Sequence, residues 1–293
     1  MLEDHTMTQV DTELIASLED KAISIKKDLF RLATKIGMAH LGGGLSCTDT
    51  AVALYYHAMK VDPKNPKWPQ RDRFILSKGH MGFVLYTILA DLGFYPKEDI
   101  VAGYNVLNGK FGMHPNRFYI PGVEASTGSL GHGLSLAVGL ALAARMDKAS
   151  YRVFCMTGDG ELNEGSNWEA IMCGAKYKLG NLVAIVDQNK LSMSGLTSQV
   201  MPMDPMDEKW KAFGWDVRKM NGHDMEEIVA TFDALPPSDS QVQRKPIVLI
   251  AETTKGKGIP FMEMQPGWHI GGLDEKTCAE CCELIEATRK TRA

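Results

Sequence analysis

No stretch of about 18 uninterrupted apolar residues occurs in this 293-residue chain, so no membrane-crossing helix is predicted. The opening residues, MLEDHTMTQVDTE, lack a basic stretch followed by an apolar one, so no secretory leader is expected. Basic runs are absent and the net charge is only -4, which disfavours nucleic acid or a membrane surface as a partner. No internal repeat is visible. Cysteine is sparse, with six residues in all. Cys47, Cys155 and Cys173 are scattered, and no second pair accompanies Cys278, Cys281 and Cys282. Neither a disulfide framework nor a four-ligand zinc site is indicated. Reduced thiols packed inside a cytoplasmic protein are expected.

What is present describes an ordinary globular chain with a sizeable core, 44% hydrophobic and 23% charged. Residues 1–10 read as a loose tail and 11–293 as a single domain. Leu14, Leu18, Ala22, Ile25, Leu29, Leu32 and Ile36 recur at spacings of three and four, which predicts a long helix ending near Gly37. A Gly-rich turn follows, from Ala39 to Ser46, and then a helix over 48–59. Strands are expected at 73–78, 151–157, 181–187, 215–220 and 246–253. Helices are expected at 82–92, 133–146, 166–179, 225–235 and 274–289. The helix at 133–146 is apolar nearly all round and is read as buried. Residues 103–132 form a loop of unusual length, which points to function. This alternation predicts an α/β fold, a doubly wound, mostly parallel sheet with helices on both faces.

The segment from Val153 to Glu169 reads VFCMTGDGELNEGSNWE. A buried strand runs into Gly158-Asp159-Gly160, and ligands of open α/β sheets sit beyond the carboxyl ends of strands. Two glycines are expected to let the backbone turn sharply there. Ser166 and Glu169 have capping-box spacing, and Gly180 suits a helix C-terminal cap. The next strand ends in Asp187-Gln188-Asn189-Lys190-Leu191, which brings Asn189 near Asp159. One carboxylate, one amide oxygen and one backbone carbonyl are too few for magnesium alone, which prefers about six oxygens and shares its shell with phosphate. A diphosphate completes such a site. A lone Gly-Asp-Gly is more often only a tight turn; the Asn closing the following strand shifts the reading.

GDGELNEGSNWEA followed by DQNKLSMSG resembles the thiamine diphosphate motif of the transketolases. The resemblance implies metal ligands at Asp159, Asn189 and the Leu191 carbonyl, with Mg2+, Ca2+ or Mn2+ as the ion. It places Gly158 and Gly160 at the diphosphate and Met193 against the thiazolium ring. Pyruvate-dehydrogenase-type and decarboxylase enzymes share such a motif, and histidine-bearing loops discriminate. Ala39-His40-Leu41-Gly42-Gly43, Leu76-Ser77-Lys78-Gly79-His80, Gly112-Met113-His114-Pro115 and Trp268-His269 resemble transketolase loops in matching order. The family usually carries Gly at the position of Ala39.

The resemblance implies His80, Lys255 and His269 around the diphosphate, and His40, His80, His114 and His269 as catalytic. Ser126 to Gly133 resembles the loop behind the aminopyrimidine, with Gly128 and Leu130 as cofactor contacts. His132 receives no role, because many members have Gln there. Glu164 and Asn189 are also expected among the cofactor-binding residues, and Glu164 falls where the family places an acid near the contact between subunits. Lys78 is read either as a further diphosphate contact or as a solvated surface lysine. His5, His57 and His223 are read as unremarkable.

The resemblance spans roughly residues 30–272 and implies transfer of a two-carbon ketol unit (glycolaldehyde) from a ketose phosphate to an aldose. A full transketolase is about twice this length, and its second half carries a pyrimidine-binding domain with the glutamate that activates the cofactor. A split enzyme is therefore expected, with two copies of each chain and that second domain on a partner subunit. A specialised transketolase for an unusual sugar, a deoxyxylulose phosphate synthase-like enzyme and an inactive cofactor-binding scaffold are the alternatives.

Overall fold

A computed structural model describes residues 11–289. The tail expected at residues 1–10 lies outside them. Helix α1 (Thr12–Ile36) starts where the Asp11 carboxylate accepts the backbone N–H groups of Glu13 and Leu14. It stops at Gly37, in the left-handed region. The predicted stripe Leu18, Ala22, Ile25, Leu29 and Leu32 is buried.

The Gly-rich stretch is not a turn. Gly42, Gly43 and Gly44 form the start of α2 (Gly42–Ala53), which runs on into one π-helical turn, Leu54–Ala58. Glycine disfavours a helix by about 1 kcal/mol relative to alanine. Packing overrides this, since a Cβ on Gly43 would lie 2.9 Å from the Met81 sulfur.

The remaining elements alternate. They are β1 (Arg73–Leu76), α3 (Gly82–Asp91), α4 (Lys97–Gly103), α5 (Gly133–Met146), β2 (Val153–Gly158) and α6 (Gly165–Lys176). After them come β3 (Leu182–Gln188), α7 (Thr197–Val200), α8 (Met206–Ala212), β4 (Asp216–Asn221), α9 (Met225–Asp233), β5 (Ile247–Glu252) and α10 (Glu275–Ala287). Helices α4, α7 and α8 span at most two turns, too short for apolar periodicity to reveal them. Among the described residues, no helix is long and apolar enough to cross a membrane.

The strands form one parallel sheet in the order β1-β2-β3-β5-β4. Apolar side chains alternate between its faces. Phe154, Met156, Ile185 and Leu249 pack with α1, α2, α3, α9 and α10, while Cys155, Ala184, Val186 and Ile250 pack with α5, α6 and α8. This is the expected α/β layering, helices on both faces of the sheet. Because the strands are parallel, their carboxyl ends share one edge. Ser77–His80, Asp159, Asn189, Gly222–His223 and Thr253–Lys255 all follow strand ends there.

Three local expectations fail. Ser166 makes no capping box; its hydroxyl donates to the Gly131 carbonyl, and Glu164 stands at the head of α6. Gly180 does not cap α6, which ends at Lys176 with Tyr177 as its cap; the Gly180 backbone packs against the Arg244 side chain. Helix α5 buries Leu134, Ala137, Val138 and Ala141 but leaves Leu136 and Met146 exposed, so its apolar surface exceeds what its own sheet covers. All six cysteines are free thiols, and Cys278 and Cys281 pack α10 into the core beside α1.

Candidate functional site

Parallel register places Gly158 of β2 opposite Asp187 of β3, so the segments that follow leave the sheet side by side. Asp159 Oδ2 accepts the Lys190 N–H at 2.7 Å, and Oδ1 accepts the Gly160 N–H at 2.8 Å. Asn189 Oδ1 accepts the Leu191 N–H at 3.2 Å. The Leu191 carbonyl accepts from the Lys255 ammonium at 2.9 Å. Asp159, Asn189 and Leu191 are thus brought together at the carboxyl edge of the sheet, and all three are buried.

Neither Gly158 nor Gly160 takes up left-handed backbone in the turn expected at Gly-Asp-Gly. The turn is made by Asp159 heading a 3-10 turn over Gly160–Asn163.

The Asp159 carboxyl is pushed up to about 6, first by burial and then by Asp187, against the pull of the Lys190 and Gly160 N–H groups and Lys78. No cationic side chain hydrogen-bonds to it among the described residues. Nor do any three His, Cys, Asp or Glu side chains there form a metal-holding cluster. The donor set is one carboxylate, one amide oxygen and one backbone carbonyl. Those hard oxygens fit a divalent ion whose remaining ligands are phosphate and water.

Behind this edge lies a buried polar layer that was only partly foreseen. Lys78 is no surface lysine: its ammonium pairs with Asp187, and each side chain is 2% exposed. Burial alone would lower the Lys78 pKa and raise that of Asp187; their attraction outweighs it in both, so the pair is ionised. Asp187 also accepts from Ser46 Oγ at 2.7 Å, Thr253 Oγ1 at 2.5 Å and Asn189 Nδ2 at 3.0 Å. Its hold on Nδ2 fixes which way the Asn189 amide faces. Glu161 joins three loops by accepting from Ser77 Oγ, the Gly131 N–H and the Gly158 N–H. Neither acid was singled out from sequence, although a carboxylate closing the apolar run LVAIVDQ is a usable signal.

Three of the four expected histidines cluster. The ring centroids of His40 and His80 are 5.3 Å apart, those of His40 and His269 5.2 Å, and those of His80 and His269 5.2 Å. A reciprocal backbone pair between Ala39 and Gly271, 2.9 Å each way, holds the His40 and His269 segments together. His80 sits in a 3-10 turn just after β1, in a loop that packs closely on the next one: a Cβ on Gly79 would lie 2.7 Å from the Gly128 nitrogen.

Lys255 Nζ lies 2.9 Å from His269 Nδ1. Burial first, then neighbouring positive charge, pulls His40 and His269 down to about 4 and His80 to about 2. These rings are therefore neutral at physiological pH, unlike free imidazoles, which titrate near it. His40 Nδ1 is buried without a hydrogen-bond partner. Burial and Lys78 lower Lys255 to about 8, partly offset by Asp159 and Asp187.

The other expected residues stand around this cluster. His114 is exposed and lies against Gly128, whose Cβ position is 2.9 Å from the ring. The Leu130 carbonyl contacts its neighbour His132, which is exposed. Glu164 is exposed beside Gly131, and Met193 is 72% exposed. Among the described residues, no hydrogen bond links Glu164 or Met193 to the histidine cluster.

Residues 25–285 match the family model described as transketolase, thiamine diphosphate binding domain. An apulose-4-phosphate transketolase subunit of Phocaeicola vulgatus is 45% identical over 94% of this chain and 98% of its own length. A 6-deoxy-6-sulfo-D-fructose transketolase subunit of a Clostridium species is 39% identical over 88% and 92%. Human transketolase is 35% identical over 94% of this chain but only 43% of its own length. Among solved structures, transketolase from Campylobacter jejuni superposes with a TM-score of 0.81 at 30% identity, over 94% of this chain and 43% of that one. Transketolase from Leishmania mexicana superposes with a TM-score of 0.83 at 26% identity, over 95% and 42%. Sequence match and fold agree with the site geometry, and the chain belongs to the transketolase family of transferases, as its thiamine diphosphate-binding domain.

Proposed function

We propose that the chain is the diphosphate-binding subunit of a split transketolase, which moves a two-carbon ketol unit from a ketose phosphate to an aldose acceptor. The observation that carries this reading is the convergence of Asp159, Asn189 and the Leu191 carbonyl beside Lys255 and the histidine cluster. In this reading Asp159, Asn189 and Leu191 hold magnesium, with calcium or manganese as substitutes. His80, Lys255 and the Gly158–Gly160 backbone receive the diphosphate. Gly128 and Leu130 back the aminopyrimidine, and Met193 lies against the thiazolium. When bound, thiamine diphosphate supplies the electron sink for carbon–carbon cleavage.

Proton transfers at the sugar fall to this chain's side chains in this reading. His40 and His269 are held neutral by burial; His269 Nδ1 accepts from the Lys255 ammonium, which leaves its Nε2–H to donate to a sugar oxygen, while the neutral His40 ring keeps one accepting nitrogen and one N–H. His114, exposed at the rim, faces substrate in this reading.

A partner subunit carrying the pyrimidine domain is part of the proposal. The apulose-4-phosphate transketolase subunits of Phocaeicola vulgatus and Actinobacillus succinogenes are matched over 98% and 90% of their own length, whereas this chain spans about 41–44% of the solved transketolase chains. We place two copies of each chain in a cytoplasmic assembly, with Glu164 at the contact between chains.

A second observation bears on the sugar. Identity to the apulose-4-phosphate and sulfofructose enzymes, 45% and 39%, exceeds the 35% to human transketolase. This favours a specialised ketose donor. The test is a donor panel offered to the chain with its partner: xylulose 5-phosphate, apulose 4-phosphate and 6-deoxy-6-sulfofructose. Preference for either of the last two supports specialisation, and preference for xylulose 5-phosphate removes it.

A further inference from the structure

His223 follows β4; among the described residues no hydrogen bond links it to Asp159, Asn189 or Leu191, yet it holds the backbone beside Lys255. Each residue of the turn Asn221-Gly222-His223-Asp224 has a distinct task. Asn221 Oδ1 accepts the His223 N–H at 3.0 Å, and Asp224 caps α9 by accepting from Glu226 and Glu227. Gly222 permits close approach to the end of β5: its N–H donates to the Glu252 carbonyl at 2.9 Å, and a Cβ there would lie 2.4 Å from Thr253 Cγ2.

The turn delivers the imidazole to the next backbone amide. His223 Nε2 accepts the Thr254 N–H at 2.9 Å. A backbone amide can only donate, so Nε2 carries a lone pair and the ring proton resides on Nδ1. Nδ1–H then donates to Asp49 Oδ2 at 3.0 Å, and Asp49 Oδ1 accepts from Lys26 Nζ at 2.6 Å. Lys26 and Asp49 are both buried, so the ring has a fixed backing.

The neighbours of Thr254 are gripped as well. Thr253 Oγ1 donates to Asp187, Lys255 Nζ to the Leu191 carbonyl, and the Gly256 N–H to the Gly42 carbonyl at 2.8 Å. Four consecutive residues are thus tied to four different parts of the fold. Thr254 is the one whose backbone amide is held by a side chain, and that side chain is His223.

We propose that His223, braced by Asp49 and Lys26, is a positioning residue that sets the Lys255 ammonium for the diphosphate of the cofactor. This rests on the proposed role of Lys255 at the diphosphate. Groups held by a rigid shell bind and act only while that shell is in place, and displacement by about 1 Å is enough to lose up to about 100-fold in rate.

The experiment is calorimetric titration of thiamine diphosphate, with magnesium, into the chain assembled with its partner. His223→Asn suits the turn but is too short to span both partners. We expect binding about 10-fold weaker, a loss of about 1.4 kcal/mol. His223→Gln, long enough to accept from Thr254 and donate to Asp49, is expected to stay within about threefold of wild type, roughly half of that energy. In a Lys255→Met background, His223→Asn should weaken binding no further, because the ammonium it positions is gone. Wild-type affinity in His223→Asn, or a loss that adds in full to that of Lys255→Met, overturns the proposal. If Lys255→Met alone binds as wild type does, the diphosphate reading of Lys255 fails instead. Ring nitrogen NMR of the unmutated protein is an independent check. It should show His223 protonated at Nδ1 and bare at Nε2, and a proton on Nε2 would remove the bond to Thr254.

Discussion

Lys78 and Asp187 form an ion pair at the centre of the molecule, with each side chain 2% exposed. It joins the loop after β1 to the end of β3, and Asp187 in turn orients Asn189. Removing one partner of such a pair leaves an uncompensated buried charge and costs about 3–5 kcal/mol. Lys78→Met is therefore expected to lose about that much in urea denaturation. Lys78→Met combined with Asp187→Asn should lose less than the single Lys78→Met change, since no unpaired charge is then buried. A surface lysine would give neither result.

Glu161 is the hub of three loops, receiving Ser77 Oγ and the N–H groups of Gly131 and Gly158. Glutamine keeps the size but presents an NH2 where acceptors are needed. Glu161→Gln is expected to lose about 1–3 kcal/mol of stability. It should also raise hydrogen exchange at Gly131 and Gly158 above that elsewhere in the sheet. Unchanged protection at both glycines would remove the hub role.

Asp49 supplies the pH dependence. Burial pushes its carboxyl up, but Lys26 and His223 outweigh this and hold it below its ordinary value of 3.8. A depressed folded pKa means stabilisation that is complete above the unfolded value and is lost as pH falls through the folded one. Asp49→Asn should therefore be less stable than wild type at pH 7, by about 3 kcal/mol. The gap should shrink below a pH of about 3.8. Denaturation midpoints at several pH values decide this, and a gap of constant size would contradict it.

The metal reading makes a sharper demand. Asp159 is the one carboxylate in the donor set, so Asp159→Ala is expected to abolish magnesium-dependent binding of thiamine diphosphate. Fold stability should hold or rise, because burial makes that charge costly in the absence of a cation. Equilibrium dialysis with and without magnesium tests it, and normal magnesium-dependent binding by the variant would refute the assignment.

The candidate site was legible where residue types suited to a metal and a diphosphate fall at strand ends. Asp159, Asn189 and Leu191 are set by two adjacent parallel strands, and the histidines by loops at the same edge. What stayed hidden depends on tertiary contact. Gly42 to Gly44 looked like a turn because propensity opposes glycine in a helix, and only the side chains packed on α2 reverse that. Lys78 stayed open between a diphosphate contact and a surface residue because nothing in SKGH reveals an aspartate 109 positions away. His223 looked unremarkable because its partners, Asp49 and Thr254, are brought to it only by the packing of α2 and β5 around the end of β4. The mistaken capping box at Ser166 has the same origin, since its hydroxyl is taken by the Gly131 loop.

In the proposed reading the chain is one half of a split transketolase and does not complete the reaction alone. The decisive measurement is ketol transfer from a ketose phosphate to an aldose, with thiamine diphosphate and magnesium, by the purified chain before and after its partner subunit is supplied. Negligible transfer by the chain alone and full transfer with the partner present are expected. Strong transfer by the chain alone would contradict the split-enzyme reading.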